Sequence, residues 1–231
     1  MNINDIKDHF DREYPREGCG VISVVKGKKE WFPVPNLANN DDDFIMDSDE
    51  YLKIMISSDI IGIVHNHIES TSDPSQMDIE MCNTLGIPYY IFSYPDMDLN
   101  IIQPDKSFID LYGREYKFGI SDCFEAMRDY LSYQNIEIAP RALFEDNWYD
   151  KGLDYFSTDI IKNWGGKEIS LSDLQENDVL IFRVQEETNN HCGVYLGNDI
   201  FYHHAVNRLS CRENLFPFWQ EYLVGAYRYV A

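Results

Sequence analysis

The spacing of apolar residues changes several times along this chain, and each change marks an element. Residues 60–67 (IIGIVHNH) form a β-branched apolar run that turns polar at its end, which predicts a buried strand surfacing at its last residues. The following IESTSDPSQMDIEMCNTLG predicts a loop and then a helix that Pro74 and Ser75 open and Gly86 stops. Val21 to Val25 reads as an earlier strand able to run beside the first. PYYIFSYPDMDLNIIQP alternates and carries prolines, as a late strand pair does. In SDCFEAMRDYLSYQ, apolar residues at 124, 127, 130 and 131 predict a helix capped by Ser121 or Asp122. Beyond it, ENDVLIFRV predicts a strand, and NHCGVYLG and IFYHHA predict a hairpin around Asn198-Asp199. The switch from strand pair to loop and helix near 103–112 predicts a boundary that divides the chain into 1–105 and 106–231.

Composition narrows what such a molecule can do. The chain has 231 residues, 44% hydrophobic, enough for one or two domains with real cores. Its net charge is -21, with 20 acidic against 7 basic residues in 1–105 and 20 against 12 in 106–231. An acid excess spread over both halves argues against nucleic acid and against electrostatic adhesion to anionic surfaces. The most acidic stretch, NNDDDFIMDSDE (39–50), reads as a solvated loop. No apolar run approaches the roughly 18 residues that span a bilayer. The polar, acidic N-terminus is no secretion signal. Five cysteines without a CxxC pair argue for a reducing folding compartment.

Two residues apart on a strand, His65 and His67 point the same way and can share one metal ion. Asp78 falls in the first turn of the next helix, which returns it toward the strand end; two His, one Asp and an open position make a catalytic zinc arrangement. Ser75-x-x-Asp78 equally fits a helix capping pattern. A general base for the water is also needed, and Glu17, just before the earlier strand, is the candidate. Upstream Glu, H-x-H, seven residues, then S-x-x-D: with Glu17, His65, His67, Ser75 and Asp78, residues 10–105 resemble the JAMM (MPN-plus) metalloproteases. Ile68 stands where that family often has a proline. The resemblance implies zinc (Zn2+) on His65, His67 and Asp78 with water as fourth ligand, Glu17 as acid/base, and Ser75 as an oxyanion-stabilising group.

In the second half, Cys123 sits in the first turn of its helix, where the positive dipole end favours thiolate. His191 begins the first hairpin arm and supplies a base, the pairing of a cysteine peptidase. A third group should orient the imidazole from the same sheet face. A three-residue turn (197–199) puts His203 there and a two-residue turn (198–199) puts His204 there, so parity alone leaves both open. Asp122-Cys123, Asn177-Asp178-Val179, His191-Cys192-Gly193-Val194-Tyr195-Leu196-Gly197 and a polar residue twelve after the His resemble the NlpC-type cell-wall cysteine peptidases over about 110–231. The resemblance implies a papain-like α+β fold, His203 as third member, and hydrolysis of peptidoglycan stem peptides through an acyl-enzyme. It also implies the Cys123 amide in the oxyanion hole and Tyr116 lining the groove.

The expected architecture is therefore α+β in two domains: a JAMM-like α/β sandwich with a mixed sheet, then the papain-like unit. The two in this order resemble the tail tip assembly proteins of long-tailed phages. That implies a virion component made in the host cytoplasm and acting on the host wall, with other tail tip proteins and stem peptides as partners, no nucleic acid and no membrane insertion. The competing readings are a structural tail assembly factor or plug with idle sites, and a bacterial wall-remodelling hydrolase.

Overall fold

A computed structural model describes residues 2–40, 43–105, 111–140 and 148–229. The chain divides into two compact units, Met1–Gly113 and Arg114–Ala231. The boundary expected at 105/106 touches residues 106–110, which lie outside the described residues.

The first unit opens with α1 (Ile3–Glu13), capped by the Asn2 side chain on the Asn4 amide, which buries Ile6, His9 and Phe10. Then come β1 (Cys19–Val25), β2 (Lys28–Val34), α2 (Ser48–Ser57), β3 (Asp59–Ile68), α3 (Gln76–Leu85), β4 (Tyr89–Tyr94) and β5 (Leu99–Ile102). The sheet order is β2-β1-β3-β4-β5. Among the described strands of this sheet only β3 and β4 run parallel, joined by α3 as crossover, so the sheet is mixed. Alternation divides its faces. Val21, Ile63, Tyr89 and Ile91 pack with Ile54 of α2 and Cys82 of α3, while Phe10 of α1 meets Phe92 edge-on at 5.7 Å.

The second unit holds α4 (Cys123–Tyr133), α5 (Thr158–Asn163), β6 (Lys167–Ile169), β7 (Val179–Phe182), β8 (His191–Gly197), β9 (Ile200–His203), β10 (Cys211–Asn214) and β11 (Leu223–Arg228). Its sheet is antiparallel in the order β10-β9-β8-β7-β11-β6. Phe124, Met127 and Leu131 of α4 pack on Val179, Ile181, Cys192 and Val194. Leu180, Phe182 and Phe201 form the opposite core with Leu215 and Trp219. Every residue of β7 is buried, because both faces of this strand are covered. The strand is shorter than ENDVLIFRV suggests. Asn177 takes a left-handed conformation, φ 74°, and Asp178 turns its carboxylate to Arg228 and the Gln175 amide.

Candidate active sites

In the first unit, β3 carries His65 and His67 on the face that α3 covers. His65 pairs with Cys19 on one side and Ile91 on the other. Ser75 caps α3 in a reciprocal box: Asp78 N donates to Ser75 Oγ at 3.2 Å, while Ser75 N donates to Asp78 Oδ2 at 2.8 Å. The box fixes Asp78 facing the histidines. His65 Nε2 lies 3.1 Å from Asp78 Oδ1, His67 Nε2 lies 3.4 Å from Asp78 Oδ2, and the two Nε2 atoms are 3.2 Å apart. His67 Nδ1 donates to Thr71 O at 3.0 Å, which turns its Nε2 inward toward Asp78 and His65. Among the described residues His65 Nδ1 has no hydrogen-bond partner; its ring is held by Phe44 at 4.6 Å and Tyr89 at 5.9 Å. Two imidazole Nε2 atoms and a carboxylate converge on one another in a buried cleft, so this donor set fits a metal ion in place of the protons that otherwise bridge these contacts.

The charges agree. Burial pushes the Asp78 carboxyl up, but hydrogen bonds from His65, His67 and Ser75 outweigh it and hold it far below the usual range. Burial holds His65 below its usual value. The Asp78 hydrogen bond raises His67 against burial, helped by Thr71 and by the charge of Glu17. Glu17 is buried and lines the same cleft, of about 830 Å³, with His65, His67, Ser75 and Asp78. Asn66, between the histidines, accepts the Gly18 amide on Oδ1 at 2.7 Å, and Asn36 donates to the Glu17 carbonyl at 2.8 Å. These two bonds position the glutamate and are absent from the motif. Ser75 Oγ also donates to Asp78 Oδ2 at 2.7 Å, so its hydroxyl proton is engaged. The stretch 39–50 departs from the solvated loop expected: Asn39, Asn40, Asp43, Phe44 and Ile45 form a wall of the cleft, and α2 begins at Ser48.

In the second unit, Asp122 caps α4, accepting from Phe124 N and Glu125 N at 3.1 Å each and from Gly119 N at 2.7 Å. Cys123 is thereby the first helical residue, buried, its thiol in hydrogen-bonding contact with Cys192 and His191. His191 Nε2 meets His203 Nδ1 at 2.9 Å, so its Nδ1 is left for the thiol. The hairpin reaches this register in two steps. Asn198 and Asp199 make a two-residue turn with φ of 51° and 59°, and Gly197 pairs with Ile200. An irregularity between Tyr195 and Gly197 then shifts the pairing by one residue, so Gly193 faces His203. A Cβ on Gly193 would stand 2.7 Å from Tyr202 O and 3.1 Å from the His203 Cβ, so the close crossing needs glycine. His204 points elsewhere: its Nε2 meets Arg208 O at 3.0 Å, and Tyr116 packs edge-on against its ring at 5.2 Å.

The Cys192 hydrogen bond and the His191 contact outweigh burial and lower the Cys123 thiol to about 5. Burial alone disfavours an imidazolium at His191, while the thiolate favours one, so the pair shares a single proton. Burial, with the nearby charge of Cys123, raises the Tyr116 hydroxyl. Sequence reasoning missed the groups behind His203: Glu213, Arg208 and Trp219. Their signal is only the pairing of Cys211 with His203 across β10 and β9, which a seven-residue connection hides.

Residues 113–228 match the NlpC/P60 family, and residues 3–102 match the prokaryotic homologs of the JAB domain. Tail tip assembly protein K of Escherichia phage N15 is 31% identical over 229 residues, covering 98% of this chain and 93% of that one. The protein of the same name from Escherichia phage lambda is 25% identical over 186 residues, 80% of this chain and 90% of its own. A CysO-cysteine peptidase of Mycobacterium tuberculosis is 26% identical over 102 residues, 41% of this chain and 70% of its own. With a peptidase-family domain following a JAB-like one, and a relative of that identity along nearly its whole length, the chain belongs to the NlpC/P60 family and to the family of phage tail tip assembly protein K.

Proposed function

We propose that this tail tip protein is a peptidase with two separate sites, one in each of two domains divided near residue 105. The carrying observation is the line of contacts from Cys123 to His191 to His203 at the head of α4. His191 takes the thiol proton, and the thiolate attacks a peptide carbonyl. As first residue of the helix, Cys123 has an amide without an intrahelical partner, which suits it to the oxyanion. His191 then protonates the leaving amine, and water hydrolyses the acyl-enzyme. Tyr116 borders the groove. The substrate class is the stem peptide of peptidoglycan, cleaved where the tail meets the wall; the placement in a tail tip family supports this.

In the first domain, His65, His67 and Asp78 would hold zinc. When bound, zinc would act as a Lewis acid and acidify water for attack on a peptide or isopeptide bond. Glu17 accepts and returns the proton. Ser75, whose hydroxyl can turn from Asp78, stabilises the developing oxyanion. Asn66 keeps Glu17 in place through Gly18.

Mass spectrometry of purified sacculi treated with the full-length protein tests both sites. Wild type should release muropeptides, Cys123→Ala should release none, and His65→Ala/His67→Ala should lose stoichiometric zinc by elemental analysis. A wild type that releases nothing and holds no zinc would leave the structural assembly factor as the reading.

A further inference from the structure

Behind His203 lies a cluster of buried and half-buried groups that neither motif contains. Glu213 sits on β10, two residues past Cys211, the strand partner of His203. Its Oε1 lies 3.4 Å from His203 Nε2, an electrostatic contact without hydrogen-bond geometry, and forms an ion pair with Arg208; Cys211 Sγ stands 3.8 Å from the same oxygen. Its Oε2 accepts from Trp219 Nε1 at 2.8 Å. Trp219 in turn stacks on His191, 5.4 Å between centroids at 29°, and meets His203 edge-on at 4.6 Å. His203, Cys211 and Glu213 have the composition of a metal site. Arg208 already supplies the positive charge on Oε1, however, and a divalent cation placed there would face that guanidinium at contact distance.

The cluster answers a different need. The 2.9 Å bond between His191 and His203 has two neutral forms. In one, His191 Nε2–H donates to His203 Nδ1, and His191 Nδ1 carries a lone pair able to take the Cys123 proton. In the other, His203 Nδ1–H donates, and the proton on His191 sits on Nδ1, facing the thiol, where it blocks transfer. The first form puts the His203 proton on Nε2, toward Glu213; the second turns an Nε2 lone pair against a carboxylate oxygen. We propose that Glu213 is a positioning residue: it selects the productive tautomer of the His191–His203 pair, supports the charge on His191 once Cys123 is a thiolate, and is tempered by Arg208. This deepens the cysteine-peptidase reading and rests on it.

Glu213 is ionised at any working pH. Burial pushes its carboxyl up, but His203, Trp219 and Arg208 together bring it down to about 2. The charged and titratable groups around the histidine pair and its thiol are Cys123 of α4 and its cap Asp122, Cys192 on β8, His204 and Arg208 from the β9–β10 connection, Cys211 and Glu213 on β10, and Arg114 and Tyr116 before α4. Among these, Glu213 and the Cys123 thiolate are the negative groups acting on the two rings directly, and Arg208 opposes them.

The rate at which iodoacetamide alkylates Cys123, followed on its peptide in the full-length protein from about pH 4 to about pH 10, reads this arrangement. Wild type should rise twice, first as thiolate forms beside imidazolium and again as His191 loses its proton. Glu213→Gln should move the second rise down by on the order of one pH unit. Arg208→Gln should move it up, and Glu213→Asp should fall between wild type and Glu213→Gln. Arg208 is partly exposed, so its variant is the less disruptive of the two and is read where Glu213→Gln does not fold. A second rise unmoved in Arg208→Gln and in folded Glu213→Gln or Glu213→Asp overturns the proposal. A wild type that rises once, near the ordinary thiol value, overturns the peptidase reading with it. A wild type that rises twice but releases no muropeptides refutes the wall substrate alone, and the opposite shifts of the two charge variants still support the tautomer assignment.

Discussion

His203 and His204 are chain neighbours, both buried, yet only one ring reaches His191. A strand sends consecutive side chains to opposite faces, so a one-residue change of register exchanges them. The two-residue turn at Asn198-Asp199 by itself would bring His204 to the site face; the irregularity beside Leu196 reverses that and brings His203. We expect His203→Ala to slow Cys123 alkylation near neutral pH by about tenfold or more, since the base loses its orienting partner. His204→Ala should leave the rate within about threefold while lowering the melting temperature, because it removes a buried contact to Arg208 O and to Tyr116. Equal effects would mean that the two histidines share the role. At this scale the chemistry was legible wherever a residue sits inside a local spacing: His65, His67, Ser75 and Asp78, or Asp122 and Cys123. Asn66, Glu213 and Arg208 were not, because their roles come from contacts across strands that no local spacing encodes.

Among the elements, α4 carries the most consequence per residue. Asp122 ties three amides, two in the helix and one in the approach at Gly119, so it sets both where the helix starts and how the preceding loop folds onto it. Its charge also acts on Cys123, in the direction that disfavours thiolate. Asp122→Ala should cost about 1–2 kcal/mol in denaturant unfolding, the upper range for a lost cap. Asp122→Asn should recover most of that stability and lower the Cys123 pKa. If Asp122→Asn instead raised it, the carboxylate would be helping the thiolate by some route other than its charge. The helices at α3 and α4 could be read from their caps and periodicity. By contrast α2 is blurred, since Leu52, Met55 and Ile56 lie on its exposed side and only Ile54 is buried. β10 and the β11–β6 edge were invisible for another reason: their strands are short and find partners only through long-range pairing.

For the molecule as a whole, the acid excess and the buried histidines make opposite claims about pH. A net charge of -21 repels itself, and acidification relieves it, but carboxylates take up protons mainly near pH 4. Between about pH 7.5 and about pH 5.5 that relief is small, and histidines dominate the titration. Burial holds His9 of the first unit, and His203 and His204 of the second, below the ordinary value of 6.5. The unfolded chain therefore binds more protons than the folded one as pH falls through about 6.5, and stability falls with it. A second loss follows below about pH 4, where Asp78 and Glu213 still resist protonation and their unfolded counterparts do not. His67, raised by Asp78, works the other way, but as one group against three, so the net change in both windows is a loss. The melting transition of the metal-free protein should therefore be lower at about pH 5.5 than at about pH 7.5, with the drop reduced in His204→Ala relative to its own value at the higher pH. A transition that rises on mild acidification would show that surface repulsion, not the buried imidazoles, governs this chain near neutrality.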